Sequence, residues 1–137
     1  MAAGYSQTPL LRKLGYKPGF RVFWGNVPPE YPEWLGDLPD GCDCFRELGG
    51  QFHLLHFFTD SHRGLVELLP ALRAAMYQDG MLWISWPKKA SKVPSDLTED
   101  IIRAEALAAN LVDVKVCAVS EVWSGLKLVI RKKDRIG

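Results

Sequence analysis

Apolar residues along this chain fall into short runs separated by glycine, proline and acidic residues. The clearest run is Phe52-His53-Leu54-Leu55-His56-Phe57-Phe58, bounded by Gly49-Gly50 and by Asp60-Ser61. An unalternating run of strand length suits a strand covered on both faces of a parallel sheet. Met81 to Trp86 forms a second such run, stopped by Pro87. Phe20 to Trp24 predicts an earlier strand, β-branched and aromatic with one charge at Arg21. It ends at Gly25-Asn26-Val27-Pro28-Pro29. Cys42–Phe45 is a candidate short strand.

Helical spacing fills the intervals. Thr8 is placed to cap a short helix with Pro9 at its first position, Leu10, Leu11 and Leu14 as its stripe and Gly15 as its end. Tyr31–Leu35 predicts a second short helix. Ser61 opens a longer one with Leu65, Leu68, Leu69, Leu72 and Met76 on one face, ended by Asp79-Gly80. Pro70 inside it predicts a kink or two helical pieces. Asp96 with Glu99 is a capping-box-like start for a helix over Leu97–Asn110, striped by Leu97, Ile101, Ala104 and Ala108. Leu111–Val119 then alternates, as does Leu126–Arg131, and the glycine-containing loop between them predicts an antiparallel hairpin near a sheet edge. Alternation of strands and helices predicts an α/β fold: a three-layer, Rossmann-like, mostly parallel sheet with a C-terminal antiparallel hairpin.

The length of 137 residues favours one domain. Residues 1–7 read as a loose arm and 134–137 as a tail. Net charge is +1, which gives no general argument for a nucleic-acid or membrane partner. Charge is uneven, however: six acids against the single base Arg46 lie between Glu30 and Glu47, while Arg131-Lys132-Lys133-Asp134-Arg135 is basic. The three cysteines, Cys42, Cys44 and Cys117, form a reduced-compartment pattern rather than a disulfide framework. No signal peptide or membrane-length apolar run is legible, so the expected location is cytoplasmic.

The unit Gln78-Asp79-Gly80-Met81-Leu82-Trp83-Ile84-Ser85, followed by a helix and a strand–loop–strand, resembles the C-terminal half of class I methyltransferases over residues 50–133. The resemblance implies a methyltransferase-type sheet. The family's glycine-rich cofactor loop has as its counterpart Val22-Phe23-Trp24-Gly25-Asn26-Val27-Pro28-Pro29, with one glycine and two prolines that lack N–H donors. No cofactor is therefore expected, S-adenosylmethionine included. Three further segments carry a resemblance to an uncharacterised bacterial family, the domain of unknown function numbered 3052. They are Tyr5 to Leu10 with Lys13-Leu14-Gly15, Trp83 to Lys89, and Val112 to Cys117 through Glu121 to Lys127. That resemblance implies no activity.

Ligands of parallel sheets bind outside the carboxyl ends of the strands. Asn26, Asp60, Trp86 with Lys88 and Lys89, and Glu121 with Trp123 would all line that edge. Lysine there would face an anion and tryptophan would offer a stacking surface. The competing reading is that the tryptophans pack and the lysines are solvated. A small anionic ligand or a protein partner is the expected occupant. A divergent transferase with Glu121 or Asp60 as base is one alternative, and nucleic-acid binding through Lys88, Lys89, Lys92 and the basic tail is another. Cys42 and Cys44 with His53 and His56 suggest a metal set, but positions three apart on a strand face opposite ways, so no metal is expected. Ser6, Ser91 and Ser124 lack a recognisable base partner, so a nucleophilic triad is not expected.

Overall fold

A computed structural model describes residues 9–136. The expected arm, the capping role of Thr8 and Gly137 lie outside the described residues. The elements in chain order are α1 (Leu10–Leu14), β1 (Arg21–Gly25), α2 (Tyr31–Leu35), β2 (Asp43–Phe45), β3 (Phe52–Phe58), α3 (His62–Ala74), β4 (Met76–Pro87), α4 (Glu99–Ala108), β5 (Leu111–Ala118) and β6 (Trp123–Ile130). The six strands form one sheet in the order β2-β1-β3-β4-β6-β5. β1 to β4 pair in parallel. β6 runs antiparallel to both β4 and β5, so β5 points the same way as β4. The α/β, methyltransferase-type sheet with its terminal hairpin is thus the observed fold.

Two apolar layers sandwich the sheet. On one face Leu65, Leu69 and Leu72 of α3 and Ile102 and Ala106 of α4 pack against Leu55, Ile84, Leu126 and Leu128. On the other, Leu14 of α1 and Tyr31 and Leu35 of α2 pack against Val22, Leu54 and Trp83. Both faces of β3 are therefore covered, which is why its sequence carries no polar alternation.

Four expectations need correction. α3 ends at Ala74, and Met76 to Gly80 belongs to β4, not to a helix. The amide of Phe52 captures the carbonyl of Ala75 at 2.7 Å, drawing the chain directly into the sheet. Met76 is still buried, but as a strand residue opposite Phe52. α3 also runs unbroken through Pro70. Proline leaves the carbonyl four residues earlier without its helical donor, and that residue, Val66, is on the solvent side.

The third correction concerns α4. Its N-cap is Thr98, whose Oγ1 accepts from the Ile101 amide at 3.2 Å. Asp96 instead accepts from the His62 amide at 2.7 Å and so ties down the start of α3. The buried stripe is accordingly Ile102 and Ala106, while Ala104 and Ala108 are exposed. Fourth, the 3₁₀ turn Lys132–Asp134 takes in Asp134, the first residue of the expected tail.

The β3–β4 register shifts between Phe52 and Leu54. Gly80 sits at this irregularity, and a Cβ there would lie 3.0 Å from the carbonyl oxygen of Phe52 and 3.1 Å from that of Tyr77. Both neighbours are backbone atoms and give little. Gly80→Ala is expected to lower stability by about 1–3 kcal/mol in urea denaturation, the scale of other overpacked sites. An unchanged midpoint would show that the bulge accommodates a side chain.

Candidate functional site

The carboxyl ends of β1, β2 and β3 meet the start of α3 around a cleft of about 480 Å³, whose lining includes Asn26, Arg46, Thr59, Asp60, Ser61 and Glu67. Each strand delivers its side chain by stopping there. β1 ends where Asn26 takes the left-handed conformation, φ 54°, that turns the chain out of the sheet. Asparagine tolerates that region better than most residues. The carbonyl of Ser85 in β4 accepts from the Thr59 amide at 3.0 Å, holding the end of β3. Ser61 then caps α3 by accepting from the Gly64 amide at 2.9 Å. The Arg46 guanidinium lies over the Trp24 ring, 5.3 Å from its centroid, an arrangement favoured by the ring's negative face.

A smaller recess of about 270 Å³ joins Asn26, Phe58, Thr59, Asp60 and Trp123. Asn26, Asp60 and Trp123 of the sequence-derived set therefore converge. The others do not join them. Lys89 lines a separate cleft of about 340 Å³ with Lys92, Ser95 and Asp96. Glu121 is exposed in the β5–β6 turn. Lys88 is half-buried, and its amide donates to the Val122 carbonyl at 2.7 Å.

The two tryptophans lie on opposite faces of the sheet. Trp86 packs into the α3/α4 layer with only 6% of its surface exposed, so it has no open ring face. Trp123 is half-buried on the α1/α2 side, edge-on to Phe58 at 5.1 Å.

The histidines are likewise separated. His53 Nδ1 accepts from the Arg21 amide at 2.8 Å, and its ring stacks on Phe20. His56 is fully buried. The Cys42 thiol donates to the Lys17 carbonyl at 3.1 Å. Among the described residues, no group of three His, Cys, Asp or Glu side chains is arranged to hold a metal ion. No helix among them is long and apolar enough to cross a membrane.

Sequence reasoning missed a buried polar chain on the α1/α2 side of the sheet. Trp24 Nε1 donates to Tyr16 Oη at 2.9 Å. Tyr16 and Tyr31 hydroxyls are 2.8 Å apart, and Tyr31 Oη is 2.6 Å from His56 Nδ1. His56 Nε2 is 2.7 Å from Ser85 Oγ. With Trp24 as a fixed donor, one arrangement uses every link: each tyrosine donates onward, Nδ1 accepts and Nε2–H donates to Ser85. The visible signal was a polar residue inside each of two apolar runs, His56 and Ser85.

Serine, imidazole and an orienting hydroxyl stand in the order of a nucleophilic array. Both His56 and Ser85 are 0% exposed, however, so no substrate reaches them and the chain is structural. Burial lowers the His56 pKa to about 3 and raises those of Tyr16 and Tyr31 above the usual phenol value.

No model of a protein family matches the chain, and no curated protein does. Solved structures do match. A ribosomal protein L11 methylase from Lactobacillus delbrueckii subsp. bulgaricus is 13% identical, with TM-score 0.55, over 89% of this chain and 75% of that one. A magnesium protoporphyrin IX methyltransferase from Synechocystis with bound SAM is 13% identical, with TM-score 0.58, over 89% and 74%. A fibrillarin pre-rRNA processing protein from Methanococcus jannaschii is 10% identical, with TM-score 0.60, over 93% and 70%. At these identities the likeness defines the fold, a methyltransferase-type Rossmann-like domain.

The residues after β1 do not fit the cofactor of such domains. The space beside Gly25 is filled: an added Cβ would lie 2.8 Å from the Phe23 ring and 2.9 Å from the Phe57 ring. This glycine lets the Phe23 and Phe57 rings pack close to the backbone at the mouth of the cleft, which it also lines. Pro28 and Pro29 follow and bring no N–H groups to a ligand.

The buried chain makes stability depend on pH. Above about pH 6.5 neither the folded nor the unfolded chain protonates His56, and its contribution is intact. As pH falls from about 6.5 toward about 3, the unfolded chain takes up a proton that the folded one refuses. This residue then removes roughly 1.4 kcal/mol of stability per pH unit. His56→Gln is expected to be less stable at neutral pH and to show a shallower decline on acidification. Equal slopes in urea denaturation would eliminate His56 as the source.

Proposed function

We propose that this chain is a small-ligand-binding domain built on a methyltransferase-like fold without the glycine-rich loop. One observation supports the reading above others. Three separate strand ends bring Asn26, Arg46 and Asp60 to a single opening of about 480 Å³, the edge where parallel sheets hold ligands. The cleft combines the Arg46 guanidinium with the carboxylates of Asp60 and Glu67. That chemistry suits a small zwitterion, with an anionic group toward Arg46 and an amino group toward Asp60. The likeness of three segments to the uncharacterised bacterial family adds no activity to this reading.

A divergent transferase is the second reading. It draws on the methyltransferases among the structural neighbours, with Asp60 as the carboxylate available to accept a proton at the opening. Loss of a measured transfer activity in Asp60→Asn, with Glu121→Gln unaffected, would favour it.

Thermal denaturation with α-amino acids and S-adenosylmethionine tests the first reading. A matching zwitterion is expected to stabilise the fold by about 2.7 kcal/mol at a hundredfold excess over its Kd. Asp60→Asn should abolish the shift while leaving the unliganded Tm nearly unchanged. S-adenosylmethionine should do no better than methionine. If no zwitterion at millimolar concentration raises the Tm, the reading fails.

A further inference from the structure

The face of the β5–β6 hairpin next to α1 carries a band of lysines unrelated to the cleft. Lys115 and Lys127 are direct cross-strand partners. Like charges in such positions repel, because the side chains stand only about 5 Å apart at their bases. Lys17 adds a further cation to Lys127, which is already half-buried, and burial and both lysines disfavour its charged form. Lys13 of α1 shares a shallow depression of about 170 Å³ with Lys115, Val116, Cys117 and Ala118.

Lys88, at the end of β4, also acts electrostatically on Cys117 together with Lys13 and Lys115. Lys127, Lys115 and Lys13 thus lie together along the hairpin, with Lys17 within electrostatic reach of Lys127 and Lys88 within reach of Cys117. Among the described residues, none of the ion pairs engages these five lysines; those pairs use His62, Arg63, Arg103 and Arg131. In a chain of net charge +1 this is a local excess of positive charge, and such a patch concentrates anions.

The Cys117 thiol is not the reactive group here. It is buried, and burial raises its pKa against the opposing pull of the three lysines. What the face offers a ligand is the ammonium groups of Lys13 and Lys115 at the depression, with Lys127 across the strand pair from Lys115. Lysine acts on phosphate as a point charge.

We propose that the Lys13–Lys115–Lys127 face binds phosphate groups, with Lys17 and Lys88 extending it for a ligand that carries several. Bound phosphate would relieve the repulsion between Lys115 and Lys127. The phosphates could belong to a small phosphorylated molecule or to a nucleic-acid backbone. Both present the same chemistry to this face.

The test uses tripolyphosphate and a fluorescein-labelled single-stranded RNA, each with the full chain and with Lys115→Gln/Lys127→Met. Tripolyphosphate should raise the Tm of the parent protein and not that of the variant. The variant should be at least as stable as the parent without ligand, because a repulsive pair has gone, so loss of binding is not loss of folding.

RNA affinity tenfold or more above that of tripolyphosphate, with a salt slope reduced by about 1.4 in the variant, assigns the phosphates to a nucleic acid. Equal or weaker RNA binding assigns them to a small ligand. Equal responses of parent and variant to both probes, or no response by either, would overturn the proposal. Asp60→Asn should bind both probes normally, so failure here and failure at the cleft are separable.

Discussion

A neutral imidazole at the centre of the sheet is the constraint that the surrounding structure answers to. His56 lies in the middle of β3 with no exposed surface. An unpaired polar group there would cost on the order of 1–3 kcal/mol. Satisfying both ring nitrogens requires Tyr31 from α2 on one side and Ser85 from β4 on the other. Tyr31 in turn needs Tyr16, and Tyr16 receives Trp24 from β1. The short helices α1 and α2 are poor helices on their own, since isolated helices of this length are unstable in water. They are held by apolar contacts and by this chain of donors, which joins the α1–β1 connection, α2 and three strands.

The same sheet separates the chemistry of the molecule by position. Its α3/α4 layer is apolar, and it absorbs Trp86. Its carboxyl edge gathers Asn26, Arg46 and Asp60 where the strands stop. Its terminal hairpin displays lysines at a place where the sheet has no further strand. Exposed lysine on an edge strand also discourages pairing with another chain, and Lys115 stands there beside a register shift after Asp113. The lysine that contributes to the positive band therefore also guards the open edge.

Much of this fold was legible because its causes are local. β3 and α2 fall on the residues expected, since an apolar run between turn signals and a proline near a helix start act over a few positions. The extended start of β4 was not legible. Leu65, Leu69, Leu72 and Met76 keep helical spacing, and only the amide of Phe52, far away in sequence, decides that the helix stops at Ala74. Asp96 was misread for a related reason: a cap three residues from Glu99 looks local, yet its partner is the His62 amide. At the edge, order along the sheet placed Asn26, Asp60 and Trp123 near one another, and they line one recess. It could not say that Trp86 and Trp123 face opposite ways, because that depends on pleat and register across β4 and β6. Arg46 was read only as the lone base of an acidic stretch, because β2, which brings it to the cleft, is only three residues long.

The sheet order carries a consequence for how the molecule is assembled. β5 precedes β6 in the chain, yet β6 lies between it and β4. When a ribosome has delivered β5, that strand has no partner, since its only neighbour is still to be made. The first four strands can zip together as they emerge, whereas the last two must arrive as a preformed pair or wait for one another. The lysine-bearing hairpin is thus the last part of the sheet that can close.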